Sequence, residues 1–145
     1  MKVEKVHIAP CGINCVLCVA FQRKRKPCGG CNAADDEKPK HCVTCPIRHC
    51  VYLPADGPVF CYACTHKFPC RRLREMDKHY RLNYGNGMLD NLCQIRDNGF
   101  AAFAAGEQRK WICPSCARYL CIHSAECLCC GAENPHFITN RTTEQ

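Results

Sequence analysis

The stretch CPSCARYLCIHSAECLCCG, residues 113–131, repeats one interval twice: Cys113/Cys116 and Cys127/Cys130, separated by ten residues. Two residues between ligands let a tight turn aim both sulfurs at one ion about 2.3 Å away, and two such turns complete a tetrahedron. Ten residues are enough for the chain to double back. The spacing therefore predicts one zinc-ribbon-like site made of Cys113, Cys116, Cys127 and Cys130. The gap is shorter than in a usual ribbon, which keeps Cys121 and His123 as substitutes for one ligand, and Cys129 is left as a bystander.

The same interval recurs upstream at Cys15/Cys18, Cys28/Cys31, Cys42/Cys45 and Cys61/Cys64, making six pairs where random placement of 18 cysteines gives about two. Cys11, Cys50 and Cys70 extend three of these pairs into triplets, so residues 11–70 carry eleven thiols, enough for two or three sites. Their pairing does not follow from spacing. His41, His49 and His66 sit beside cysteines and could supply a twelfth ligand, although a lone loop histidine is more often simply solvated. Cys93 falls among the apolar residues of a helical stretch and reads as a small hydrophobe.

Composition shows why metal matters. Leu, Ile, Val and Phe make up 28 of 145 residues, about 19%, and the formal charge is +7. Those values belong to chains that cannot fold on apolar burial alone. The charge excess, with its run Arg23-Lys24-Arg25-Lys26, suggests nucleic acid until the thiolates are counted. A tetrathiolate around a dication carries about −2, so three or four such sites offset the +7 almost completely.

The first residues, MKVEKVHIAPCGINC, have no apolar run ahead of a cleavage site, and no stretch reaches the roughly 18 apolar residues of a membrane span. The expectation is a cytoplasmic protein. In that reducing compartment, cysteine density points to metal rather than to a disulfide scaffold.

Cysteine spacing divides the chain into a cysteine-rich metal-binding region (1–70), a helical segment (71–111), a zinc-ribbon-like region (112–131) and a flexible tail (132–145). In the helical segment Leu73, Met76 and Tyr80 share one face of a helix beginning at Arg71. Met88, Leu89, Leu92 and Ile95 define a second helix, stopped at Asn98-Gly99. A third runs from about Phe100 to Gly106 with Phe103 inward. The expected fold is a small metal-stabilised domain, mainly α plus irregular, with cysteine knuckles flanking two or three short helices.

The ordered motifs CGINCVLCVAF (11–21), CGGC (28–31), CVTCPIRHC (42–50) and CYACTHKFPCRRL (61–73) resemble the signature of a cysteine-rich domain-of-unknown-function family of bacteria and archaea, whose members show CGxxCxxCxAY, CxGC, CxxCxIRxC and CxxCxxYPC. Phe21 and Phe68 stand where tyrosine is usual, and both keep an aromatic ring. The resemblance implies zinc binding and no particular reaction.

The leading expectation is a zinc protein holding three to four structural ions, whose surface binds a partner, most simply another protein. An iron–sulfur protein in electron transfer or cluster handling is the first alternative, because Cys11, Cys15 and Cys18 have the C-x3-C-x2-C spacing that can hold a [4Fe-4S] cluster. Nucleic-acid binding through Arg23 to Lys26 and a patch of Lys110, Trp111, Arg118 and Tyr119 is the second. Closed cysteine sites give no support to catalysis, so the chain is not expected to be an enzyme.

Overall fold

The computed structural model describes residues 2–53 and 59–138. Three helices form its centre: α3 (Arg71–Tyr84), α4 (Met88–Asn98) and α5 (Phe100–Trp111), preceded by the single turns α1 (Val19–Gln22) and α2 (Lys40–Val43). Short 3-10 turns lie at Lys5–His7, Cys15–Leu17, Asp35–Glu37 and Cys61–Ala63. Among the described residues there is no strand, only isolated antiparallel bridges at Ile8/Asn14, Ile112/Tyr119 and Glu126/Glu133. The mainly helical and irregular class expected from the sequence holds.

α3 begins where the Cys70 sulfur accepts a hydrogen bond from the Leu73 N–H, and ends at Gly85 in the left-handed region (φ +65°). Glycine has no Cβ to clash there, and its N–H reaches the Arg81 carbonyl. α3 packs on α4, and α4 on α5. The buried Asp77 carboxylate accepts from the Leu89 N–H at 3.1 Å and pairs with Arg81 at 2.9 Å, which ties α3 to the first turn of α4. α4 buries Met88, Leu92 and Ile95 at i, i+4 and i+7, the stripe its sequence periodicity required.

α5 runs five residues past the expected end at Gly106. A helical glycine costs about 1 kcal/mol, and Glu107, Gln108, Arg109 and Lys110 after it are strong helix formers. Glu107 adds a tertiary reason, because its buried carboxylate accepts from the Trp111 indole N–H at 3.2 Å and from Asn14 Nδ2 at 3.4 Å.

Two apolar clusters result. The larger joins Ile8, Val16, Leu73, Met88, Leu92 and Phe103 and takes in Cys11, Cys15 and Cys61. The smaller gathers Leu17, Trp111, Leu120 and Ile122 around Cys113 and Cys127. Hydrogen bonds cross the expected zone boundaries: Val3 N–H to Gln108 Oε1 at 2.8 Å, Ile122 N–H to the Leu17 carbonyl at 3.0 Å, and Gln22 Nε2 to the Leu120 carbonyl at 2.9 Å. The zones at 70 and 111 are changes of composition, not separate bodies.

The expected flexible tail needs correction over 132–138. Asn134 is buried, with Nδ2 donating to the Cys121 and Ser124 carbonyls, and His136 Nε2 lies 2.8 Å from the Lys110 carbonyl. A polar sequence hid these bonds because each uses a backbone carbonyl distant in sequence. Residues 139–145 lie outside the described residues.

Candidate metal centre

The two C-terminal knuckles are built alike. In the first, the Cys113 N–H donates to the Arg118 carbonyl (2.7 Å) and the Ala117 N–H to the Cys113 carbonyl (2.9 Å). In the second, the Cys127 N–H donates to the Ala132 carbonyl (2.7 Å) and the Gly131 N–H to the Cys127 carbonyl (2.9 Å). Each turn closes through a left-handed residue, Ala117 at φ +62° and Gly131 at φ +79°. That kink turns the chain back beneath the sulfurs. Backbone N–H groups then point at them, Arg118 at Cys116 and Ala132 at Cys130.

The four sulfurs meet. Cys113 Sγ lies 3.7 Å from Cys130 Sγ and Cys116 Sγ 3.6 Å from Cys127 Sγ, each contact joining one knuckle to the other. A tetrahedron with metal–sulfur bonds of about 2.3 Å has edges of about 3.8 Å, so these separations already match a tetrathiolate. Among the described residues, these four are the only group of three or more Cys, His, Asp or Glu side chains whose ligand atoms all lie within 4.8 Å of one another. Cys113 and Cys127 are buried, while Cys130 is exposed, leaving one edge open to solvent.

The electrostatics of this group suit a cation. Burial pushes the Cys127 thiol up, but the N–H groups of Cys130 and Cys129 and the neighbouring thiols donate to it and bring it down to about 7. At Cys116 the Arg118 N–H favours the thiolate, yet partial burial and the three surrounding thiols hold the group up at about 12. One sulfur ionises readily and the next resists, because like charges this close repel. A dication removes that conflict.

Cys121 and His123, the substitutes considered for this site, stand apart from it. Cys121 is fully buried, its sulfur is 4.0 Å from His123 Nδ1, and His123 Nδ1 accepts from the Val19 N–H at 3.3 Å. Ten residues therefore suffice for the four-cysteine site. Cys129 is exposed and outside the group.

The first eleven thiols also separate in space. Cys11, Cys15, Cys18, Cys28, Cys31, Cys42 and Cys45 line one cavity of about 440 Å³. Cys50, Cys61, Cys64 and Cys70 line another, of about 30 Å³. In the smaller group, Cys64 Sγ accepts from the His66 and Lys67 N–H groups, and Cys70 Sγ from Leu73, all at 3.4 Å. Burial raises the Cys61 thiol to about 12, and Cys70, Cys50 and Cys64 add to the effect. In the larger group, Cys15 Sγ accepts from the Cys31 N–H and Cys28 Sγ from the Gly30 N–H, both at 3.4 Å. The first eleven thiols thus line two neighbouring cavities, with Cys45 of the larger acting electrostatically on Cys61 of the smaller. Cys93 is half-buried rather than fully buried.

The CGINC loop that carries Cys11 and Cys15 is fixed from three sides. Gly12 (φ +97°) lies so close to α4 that a Cβ would stand 2.6 Å from the Met88 carbonyl oxygen. Asn91 Nδ2 donates to the Gly12 carbonyl at 2.9 Å. Asn14 Oδ1 caps the next turn by accepting from the Val16 N–H, while its Nδ2 reaches Glu107.

The other candidates find different partners. His49 Nε2 is 2.7 Å from the Val43 carbonyl, and His66 stacks on Tyr52 with ring centroids 4.5 Å apart. The His41 side chain lies outside the described residues. Trp111 is buried in the smaller apolar cluster, so it presents no face for a base to stack on. Sequence reasoning missed Lys38, whose side chain is 1% exposed and whose Nζ donates to the Cys31 carbonyl at 2.9 Å. It sits in the polar run Ala33 to Lys40, which carries no local signal of burial.

Among the described residues no cysteine is in a disulfide, and no helix is long and apolar enough to cross a membrane. Fold and site together define a small, mainly helical, cysteine-rich protein with a tetracysteine group positioned to hold a metal ion. No protein-family model, curated protein or solved structure matches this chain, so the family resemblance rests on its motifs alone.

Proposed function

We propose that this is a zinc-binding protein whose metals are structural and whose outer surface docks a protein partner. The observation that supports zinc is the pair of matched knuckles, whose inter-knuckle sulfur contacts of 3.6 and 3.7 Å fit the edges of a closed tetrathiolate. A closed site keeps no position for substrate or water, so its contribution is to folding. Such ions supply folding free energy directly, which a chain this poor in aliphatic residues requires. The motif resemblance to a cysteine-rich bacterial and archaeal family agrees with zinc.

The test is elemental analysis of anaerobically purified protein, with zinc, iron and acid-labile sulfide counted per chain, followed by cobalt substitution. Colourless protein with zinc in excess of one ion per chain, and cobalt bands of a tetrahedral thiolate site, support the reading. Brown protein with stoichiometric sulfide would replace it by the iron–sulfur alternative, for which the Cys11, Cys15 and Cys18 spacing is the motivating observation.

A further inference from the structure

The basic run Arg23 to Lys26, to which structural zinc gives no role, is folded into the molecule. The Arg23 N–H donates to the Val19 carbonyl and the Cys28 N–H to the Ala20 carbonyl, at 3.0 and 2.8 Å, so the run closes a loop after α1. Arg23 Nε donates to the Lys26 carbonyl at 2.8 Å, and Lys26 lies at φ +47°, a conformation that residues with a Cβ take rarely. All four residues are exposed.

The first C-terminal knuckle lies beside this loop. Lys24 and Arg118, far apart in sequence, line one groove of about 830 Å³ together with Phe21, Tyr119 and the exposed Leu128. Gln22, also in the lining, ties its two sides together, because Nε2 donates to the Val16 carbonyl at 2.8 Å and to the Leu120 carbonyl at 2.9 Å. We propose that this groove binds single-stranded nucleic acid, with phosphates meeting Lys24 and Arg118 and bases packing on Phe21 and Tyr119. Such binding goes beyond structural zinc and protein docking, and needs from the metal only a folded first knuckle.

Charge selects an anionic occupant. No carboxylate lines the groove, and among the described residues Lys24, Arg25, Lys26 and Arg118 take part in no ion pair. Arg23 lines the larger cysteine cavity and is counted there. Cys116 of the groove belongs to the tetracysteine group, which carries about −2 with a dication bound. Four cations against that charge leave a surplus of about +2. The aromatic pair selects nucleic acid over an acidic peptide. Phe21 and Tyr119 are half-buried in the lining, and every base has a π face to stack on such rings, whereas a carboxylate side chain has none. Trp111, grouped with Arg118 and Tyr119 from the sequence, is buried and takes no part.

The test is fluorescence anisotropy of the full-length, zinc-loaded chain with a fluorescein-labelled oligothymidylate of about twenty nucleotides. Saturable binding is expected, weakening steeply with salt. Lys24→Ala with Arg118→Ala should weaken it about tenfold or more, and flatten the slope of log affinity against log salt by about 0.7 for each lost phosphate contact. Tyr119→Leu, which keeps an apolar side chain but no ring, should weaken it about fivefold or more at an unchanged slope. Arg74→Ala with Lys78→Ala removes the same charge from the exposed surface of α3 and should leave binding within about threefold. Absence of saturable binding, an unchanged slope in the groove variant, or an equal loss in the α3 variant overturns the proposal. So does tighter binding of a duplex of the same length, or of an oligoglutamate of equal charge, which would give the groove to an acidic protein segment. Zinc counted in the same samples keeps the two readings apart: a chain that takes up no zinc refutes structural zinc, and a zinc-loaded chain that binds no oligothymidylate refutes the groove alone.

Discussion

Replacing Gly12 by alanine separates two costs that the structure assigns to one loop. Gly12 and Gly99 both have positive φ, +97° and +90°, but opposite surroundings. A Cβ on Gly99 meets nothing within 4 Å, while one on Gly12 lies 2.6 Å from the Met88 carbonyl oxygen and 3.0 Å from Leu92 Cγ. Gly99→Ala thus carries only the positive-φ backbone penalty, about 1–3 kcal/mol. Gly12→Ala adds overpacking of about 1–3 kcal/mol, and the obstructing atom is helix backbone that cannot rotate aside. The total is about 2–6 kcal/mol, a large share of the roughly 5–15 kcal/mol that holds an ordinary domain. At about 3–4 °C per kcal/mol for a chain of this size, Gly12→Ala should melt about 3–12 °C below Gly99→Ala. Circular dichroism melts of both variants, metal-loaded and under reducing conditions, measure that gap. Equal midpoints for the two variants would show that the CGINC loop does not rest on α4 as described.

Cys127→Ser should lower the metal count by one ion per chain and abolish the cobalt signature of the C-terminal site, read by mass spectrometry and visible absorption. Stripping all metal with a strong chelator under reducing conditions should sharply lower the melting midpoint, and an unchanged melt would remove metal from the account of stability. Glu107→Ala leaves the buried Asn14 amide and Trp111 indole donors without their carboxylate partner and should cost about 2–6 kcal/mol by urea titration, at about 1–3 kcal/mol per orphaned group. Burial raises the Glu107 carboxyl above its unfolded value, despite the donors that lower it. The folded chain then binds the extra proton between the two values, so this group's contribution falls as pH rises through that window. Glu107→Gln should therefore show a flatter stability profile than wild type from the ordinary carboxylate range upward. Gly131→Ala should cost only about 1 kcal/mol and keep its ion, because the space is open and Ala117 already holds the equivalent place.

Ligand spacing was legible because it is local: i, i+3 cysteines make a knuckle by their own turn geometry, and the four C-terminal sulfurs converge as their spacing required. The helices α3 and α4 were legible for the same reason, through apolar periodicity and, for α4, the stop at Gly99. The end of α5 was not, since it depends on Glu107 accepting from a residue one turn on and from Asn14 across the fold. Nor was the packing of 132–138, whose Asn134 and His136 bonds go to distant carbonyls.

From its residues alone, the chain carried the pattern of sulfur ligands: few aliphatic side chains, and six cysteine pairs at ligand spacing. Tertiary structure decided how those thiols are shared. Spacing along a chain says which sulfurs can turn toward one ion, but which turns face one another is set by how α3, α4 and α5 stack and where Gly12 lets the first loop approach. That packing brings the last four sulfurs together, lines two neighbouring cavities with the first eleven, and places Lys38 and Arg48 on the Cys31 carbonyl.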